Sequence, residues 1–102
     1  MGPDGHTASL FPGTEALKEQ KRLIVSNWVT KFNTHRITFT VPLINHAANV
    51  MFLVCGEDKA AALKAVVEGP YDPEVYPSQL IKPEGELAWY VDQAAGKLLE
   101  LD

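Results

Sequence analysis

Hydrophobic and polar positions alternate with a period of two from Arg36 to Val41. Ile37, Phe39 and Val41 fall on one side and Thr38 and Thr40 on the other, the spacing of a β-strand that Pro42 then ends. Leu23 to Val29 is rich in β-prone residues and predicts another strand. Val50 to Cys55 is a continuous apolar run closed by Gly56, which reads as a strand buried on both faces. Leu87 to Val91 predicts a last one.

The intervening segments change period. Thr14 is a candidate N-cap for a helix from Glu15 to about Lys21, although its apolar stripe holds only Ala16 and Leu17. Leu43 to Asn49 reads as a short helix with Pro42 near its first turn. Asp58 is placed to cap a helix over Lys59–Glu68, where Leu63, Val66 and Val67 stand at i, i+3 and i+4 and Gly69-Pro70 makes the stop. Tyr71 to Glu86, with Pro73, Pro77 and Pro83, predicts a loop with a turn around Pro77-Ser78-Gln79-Leu80. A final helix starts near Asp92, since Val91, Ala94, Ala95, Leu98 and Leu99 share one face. Strands alternating with helices imply β-α-β crossovers. The expected class is α/β, with a Rossmann-like, mainly parallel sheet and flanking helices, in a single domain over residues 1–102. In such sheets ligands sit at the carboxyl ends of strands.

Composition narrows the possibilities further. The 102 residues are 46% hydrophobic and 22% charged, with nine basic against thirteen acidic side chains and a net charge of −4. This is the balance of a globular domain, and it argues against non-specific nucleic-acid binding. The longest apolar run is far short of the ~20 residues that span a bilayer, so no membrane association is expected. No secretory signal is visible, and a cytoplasmic location is expected. One cysteine excludes an internal disulfide and a cysteine-based zinc site. Cys55, inside an apolar strand, reads as a small hydrophobe. Trp28 and Trp89 read as core or interface packing.

Three places could carry chemistry. Asp4 and His6 stand two apart in the glycine- and proline-rich opening, Met1-Gly2-Pro3-Asp4-Gly5-His6-Thr7-Ala8-Ser9-Leu10-Phe11-Pro12-Gly13. A carboxylate beside a histidine can orient the ring and stabilise the imidazolium formed when it takes a proton from water. The same spacing equally fits a turn in which Asp4 caps amides and His6 is solvated. Lys59 stands at the start of a helix, where cations are unfavourable for the helix dipole; it is either a surface lysine or a cation serving an anionic ligand. Arg36, at a strand entrance, is of a kind most often found at the surface. His35 and His46 have no carboxylate or cysteine at metal-ligand spacing, so no metal is expected. Ser9 lacks a Gly-x-Ser-x-Gly elbow. Neither a phosphate-binding Gly-x-x-x-x-Gly-Lys-Ser/Thr loop nor a dinucleotide Gly-x-Gly-x-x-Gly occurs.

The thirteen-residue opening closely resembles the histidine loop of the 6-phosphogluconolactonases. The resemblance continues through Arg36-Ile37-Thr38-Phe39-Thr40, Gly56, Lys59-Ala60, Pro77-Ser78-Gln79 and Trp89-Tyr90-Val91-Asp92, and so covers essentially the whole chain in order. The related glucosamine-6-phosphate deaminases share an Asp-Gly-His loop but carry a further acid after the histidine; Thr7 to Gly13 contains none. The resemblance implies a cofactor-free hydrolysis of 6-phosphogluconolactone to 6-phosphogluconate, in the oxidative pentose phosphate pathway. His6 would be the general base and Asp4 its orienting carboxylate. Lys59, and less directly Arg36, would bind the substrate phosphate.

Members of that family run to more than twice this length. Their N-terminal half carries a Gly-Gly-Ser/Arg-Thr-Pro type phosphate loop and an Asp-Glu-Arg type motif, and neither string is present here. The chain therefore resembles the C-terminal half of the domain. An exposed sheet edge, apolar surface and little activity of the chain alone are expected. The alternative is a non-catalytic module that binds sugar phosphates or self-associates through that edge. A deaminase or isomerase is the third reading.

Overall fold

The computed structural model describes residues 1–100; the last two residues of the expected domain lie outside the described residues. The strands are β1 (Ile24–Val29), β2 (Thr34–Phe39), β3 (Asn49–Val54) and β4 (Glu86–Val91), and the helices are α1 (Val41–Asn45) and α2 (Ala60–Glu68). Single 3-10 turns cover Glu15–Lys18, Thr30–Phe32, Glu57–Lys59 and Pro77–Leu80.

The α/β class is as expected, but the strands form two separate two-stranded sheets, of which only one is parallel. β3 and β4 pair in parallel, with Phe52 opposite Trp89 and Val54 opposite Val91. β1 and β2 pair antiparallel, with Asn27 opposite Arg36 and Val29 opposite Thr34. The reason is connection length. The segment joining β3 to β4 contains α2 and is long enough for a crossover, whereas β1 and β2 are joined by one 3-10 turn and Asn33, which has room only for a hairpin. Asn33 takes left-handed angles (φ 50°, ψ 46°) to close it.

Several element boundaries depart from the pattern. The expected helix from Glu15 stops after one 3-10 turn because the Glu19 carboxylate accepts from the amides of Lys21 (3.1 Å) and Arg22 (3.3 Å), turning the chain away. The Thr14 side chain caps nothing there; it donates to the Phe11 carbonyl. Thr40 is not strand but the N-cap of α1, accepting from the Leu43 amide at 3.4 Å. That moves the helix forward of the expected Leu43 start, with Pro42 in its first turn. Asp58 does not cap α2, which is entered from a 3-10 turn. No helix follows Asp92 among the described residues. The Asp92 carboxylate accepts from Gly56 N (3.2 Å) and Ala95 N (2.8 Å), and a run of turns follows.

Two small cores result. Phe52, Val54, Leu63, Ile81 and Ala95 are buried between the β3–β4 pair and α2, and Phe52 stacks on Trp89 with ring centroids 4.1 Å apart. Leu10, Ala16 and Leu17 form the second under the opening loop. β3 is not buried on both faces: Phe52 and Val54 face in, while Met51 (65% exposed) and Leu53 (70%) face out. Cys55 is likewise exposed rather than buried. On β2 the polar side is the inner one: Thr38 is buried, as is Thr40 just past its end, while Ile37 (79% exposed) and Phe39 (55%) face outward. No helix among the described residues is long and apolar enough to cross a membrane.

Candidate active site

The polar face of the hairpin holds the opening loop in place. Asn27 is almost fully buried. Its carbonyl oxygen accepts from Ala16 N at 3.2 Å, and its amide donates to the Ser9 carbonyl (3.0 Å) and to Thr14 Oγ1 (2.9 Å). Thr38 Oγ1 accepts from Ser9 N at 3.0 Å. The inward threonines and asparagine thus satisfy loop backbone groups that would otherwise be buried unpaired.

The start of the loop is tied to the far end of the chain. Gly5 takes φ +81°, a region that disfavours side chains, and a Cβ there would also crowd Tyr76. Its carbonyl accepts both the Ser78 amide (2.9 Å) and the Ser78 hydroxyl (2.7 Å). The Pro77–Leu80 turn that carries Ser78 is itself fixed by the Gln79 side chain, which accepts from Asp72 N and donates to the Ala65 and Pro70 carbonyls.

Within this frame Asp4 and His6 meet. Asp4 Oδ1 lies 2.5 Å from His6 Nδ1 and also accepts the His6 amide at 3.1 Å. Both side chains are about three-quarters buried. Partial burial pushes the Asp4 carboxyl up, but hydrogen bonds from the His6 ring, the His6 amide and the Lys31 ammonium outweigh it and leave its pKa below the ordinary value. A buried ring, Phe11, stacks on His6 with centroids 4.2 Å apart. Nε2 has no hydrogen-bond partner among the described residues, so the nitrogen remote from Asp4 is the one free to take a proton.

Lys59 sits at the exit of β3, in the turn that Asp92 holds through Gly56. Gly56 takes φ +98° to make that turn. The Lys59 ammonium donates to the Cys55 carbonyl at 3.0 Å and its side chain is mostly buried. Burial and the Lys59 charge lower the pKa of the Met1 amine, and a Cβ on Gly2 would collide with the His6 ring. Arg36 lies elsewhere, on β2, with its guanidinium 4.8 Å from the Phe32 ring centre. The structure therefore joins Asp4 to His6 directly, puts Lys59 in the turn after β3, and puts Arg36 on the hairpin. A cleft of about 440 Å³ opens beside the pair, lined by Asp4, Phe11, Thr14, Trp28 and Lys31; neither His6 nor Lys59 lines it. No group of three His, Cys, Asp or Glu side chains converges as a metal site among the described residues.

Sequence reasoning missed Lys31, whose ammonium is 3.2 Å from Asp4 Oδ2. The short gap between the two expected strands could have marked a hairpin, but nothing local said that its tip would reach the opening loop. It also missed the role of Ser78, although Pro77-Ser78-Gln79 stood out as a motif.

An α/β domain with a carboxylate-held histidine in a glycine-bounded loop, and a lysine at the exit of a parallel strand, is the class these features define. The chain belongs to the family of glucosamine-6-phosphate isomerases/6-phosphogluconolactonase, whose sequence profile matches residues 1–89. It is 50% identical over 99 residues to the 6-phosphogluconolactonase of Synechocystis, covering 97% of this chain and 40% of that protein. With the human 6-phosphogluconolactonase it shares 40% identity, over 97% of this chain and 39% of the human one. Its fold is similar to that of the 6-phosphogluconolactonase from Trypanosoma brucei, with a TM-score of 0.83 and 27% identity over 98% of this chain and 40% of that structure. The chain thus spans about 40% of the length of the curated relatives it matches.

Proposed function

We propose that the chain carries the general-base part of a 6-phosphogluconolactonase site. The observation behind this reading is the 2.5 Å contact between Asp4 Oδ1 and His6 Nδ1. With Nδ1–H donating to Asp4, the Nε2 lone pair accepts a proton from water as the oxygen attacks the lactone carbonyl carbon. The tetrahedral intermediate collapses, the ring C–O bond breaks, and the proton on Nε2 passes to the departing ring oxygen. The products are 6-phosphogluconate and a neutral imidazole. Asp4 stabilises the imidazolium between the two transfers. Lys59 draws the substrate phosphate, and Arg36 adds a second positive charge from the hairpin.

The decisive experiment replaces the matching segment of the Synechocystis enzyme with residues 1–102 and measures lactone hydrolysis at neutral pH, corrected for spontaneous opening. His6→Ala in that chimera lowers kcat by ~10²–10⁴-fold, and Lys59→Ala acts mainly on KM. A chimera whose rate is indifferent to His6→Ala overturns the proposal. The chain by itself hydrolyses the lactone slowly or not at all; a rate equal to the chimera's would refute that part.

A second reading has its own support. Ile24, Ile37, Phe39, Met51 and Leu53 are each more than half exposed, a density of apolar surface suited to covering by another polypeptide. Self-association of the chain through such exposed side chains is the non-catalytic alternative.

A further inference from the structure

The 3-10 turn at the tip of the β1–β2 hairpin, Thr30–Phe32, reaches the Asp4–His6 pair directly through Lys31 and by way of Phe11 through Phe32. Lys31 Nζ lies 3.2 Å from Asp4 Oδ2. Phe32 meets the edge of Phe11 at 5.4 Å and 81°, and Phe11 in turn stacks on His6. Phe32 is itself held under two cations, Arg36 at 4.8 Å and Lys31 at 5.5 Å from its ring centre. We infer that this hairpin tip is the positioning element of the Asp4–His6 pair, with Lys31 fixing the carboxylate and Phe32 backing the ring that fixes the imidazole plane. The inference rests on the reading of His6 as the general base.

The division of contacts on Asp4 carries the argument. Oδ1 serves two donors, the ring and amide of His6. Oδ2 is held by Lys31, twenty-seven residues away in the chain. With Oδ2 released, the carboxylate is free to turn toward solvent and the ring to adopt the other tautomer. Neither Lys31 nor Phe32 reaches the reacting nitrogen, so both act through their neighbours. Lys31 is over half exposed, and its removal leaves both His6 donors on Asp4 Oδ1 in place.

The test reads the His6 ring directly, without substrate. In the 15N-labelled chain at a pH of about 8, above the ordinary histidine range of ~6.5, the ring nitrogens report the ratio of Nδ1–H to Nε2–H tautomers, with His6 assigned from the spectrum of His6→Gln. Lys31→Met lowers that ratio about two- to fivefold, the range an exposed ion pair supports, while the melting temperature barely moves. Lys31→Arg restores it. Phe32→Ala lowers the ratio as well. An unchanged ratio in both Lys31→Met and Phe32→Ala overturns the inference, as does a loss that Lys31→Arg leaves unrepaired. A ratio that depends on Lys31 in a chain whose chimera is inactive would sustain the positioning role and sink the lactonase reading; the opposite pairing sinks only the positioning role.

Discussion

The Ser78 hydroxyl donates to the Gly5 carbonyl at 2.7 Å, joining residues seventy-three apart in the chain. Gly5 lies between Asp4 and His6 in the chain, so this bond fixes the middle of their loop from a turn distant in sequence. Ser78→Ala removes the hydroxyl, while the backbone amide of residue 78 keeps its own 2.9 Å bond to the same carbonyl. The carbonyl is therefore not orphaned, and the expected cost is that of one net hydrogen bond, about 1 kcal/mol. For a chain of this size that is a fall of ~4–8 °C in Tm by calorimetry. A fall well beyond that range would mean that the hydroxyl does more than hold Gly5.

Asn27→Ala is expected to be more damaging. It removes three hydrogen bonds at once, strands the Ala16 amide away from water and takes the partner from the part-buried Ser9 carbonyl. Leaving the buried Ala16 amide unsatisfied costs about 1–3 kcal/mol and losing the part-buried bond to Ser9 about 0.5–1.5 kcal/mol, so a loss of ~2–4 kcal/mol is expected. Urea unfolding measures it as a lower midpoint at unchanged slope. Asn27→Asp keeps an acceptor for Ala16 but buries a carboxylate charge and sets an oxygen against the Ser9 carbonyl, and should be at least as damaging as the alanine variant.

Acid unfolding should report the carboxylate of Asp4. Its pKa is lowered in the folded chain by the ring and amide of His6 and by Lys31, against the opposing effect of burial. A folded pKa below the unfolded value of ~3.9 means the unfolded chain binds the proton more tightly. The stabilisation is then complete above about pH 4 and disappears as pH falls through the folded value. Asp4→Asn is expected to flatten the stability profile in that acid window alone. A pair of urea titrations, one near neutrality and one at about pH 3, makes the comparison; equal losses at both pH values would show that the carboxylate's charge is not what stabilises the fold.

Much of this architecture was legible in the residues. The run at Val50 to Cys55 marked β3 because six consecutive apolar side chains bounded by glycine suit a central strand, and Leu63 with Val66 marked α2 by helical spacing. The loop carrying Asp4 and His6 announced itself by its glycines and prolines. What stayed hidden depends on partners distant in sequence. The strict alternation of Ile37, Thr38, Phe39 and Thr40 shows that the two faces of β2 differ, but not which faces inward. Here the threonines do, because they bond the backbone of the opening loop and of Arg22. The apolar stripe at Asp92 to Leu99 has helical spacing, yet Asp92 bonds to Gly56 across the parallel pair and the segment settles into turns. Lys31 could not be assigned to the site at all until the hairpin tip was seen against Asp4.

The outward faces of β2 and β3 carry the last prediction. Ile37 is 79% exposed and Leu53 is 70% exposed, so neither contributes much to the packing of the chain on itself. Changes at such positions usually alter stability by no more than about 0.5 kcal/mol. Apolar area that meets another polypeptide gains roughly 25 cal/mol for each Å² removed from water, and a lysine placed at its centre would have to be desolvated on association. The chain as it stands is therefore expected to sediment above its monomer mass of 11.2 kDa at micromolar concentration. Ile37→Lys combined with Leu53→Lys should return it to the monomer with Tm within a few degrees of the parent. A parent chain that is monomeric across that range would remove self-association as a reading of this surface. Loss of Tm in the double variant without any change in mass would show instead that the two side chains stabilise the monomer.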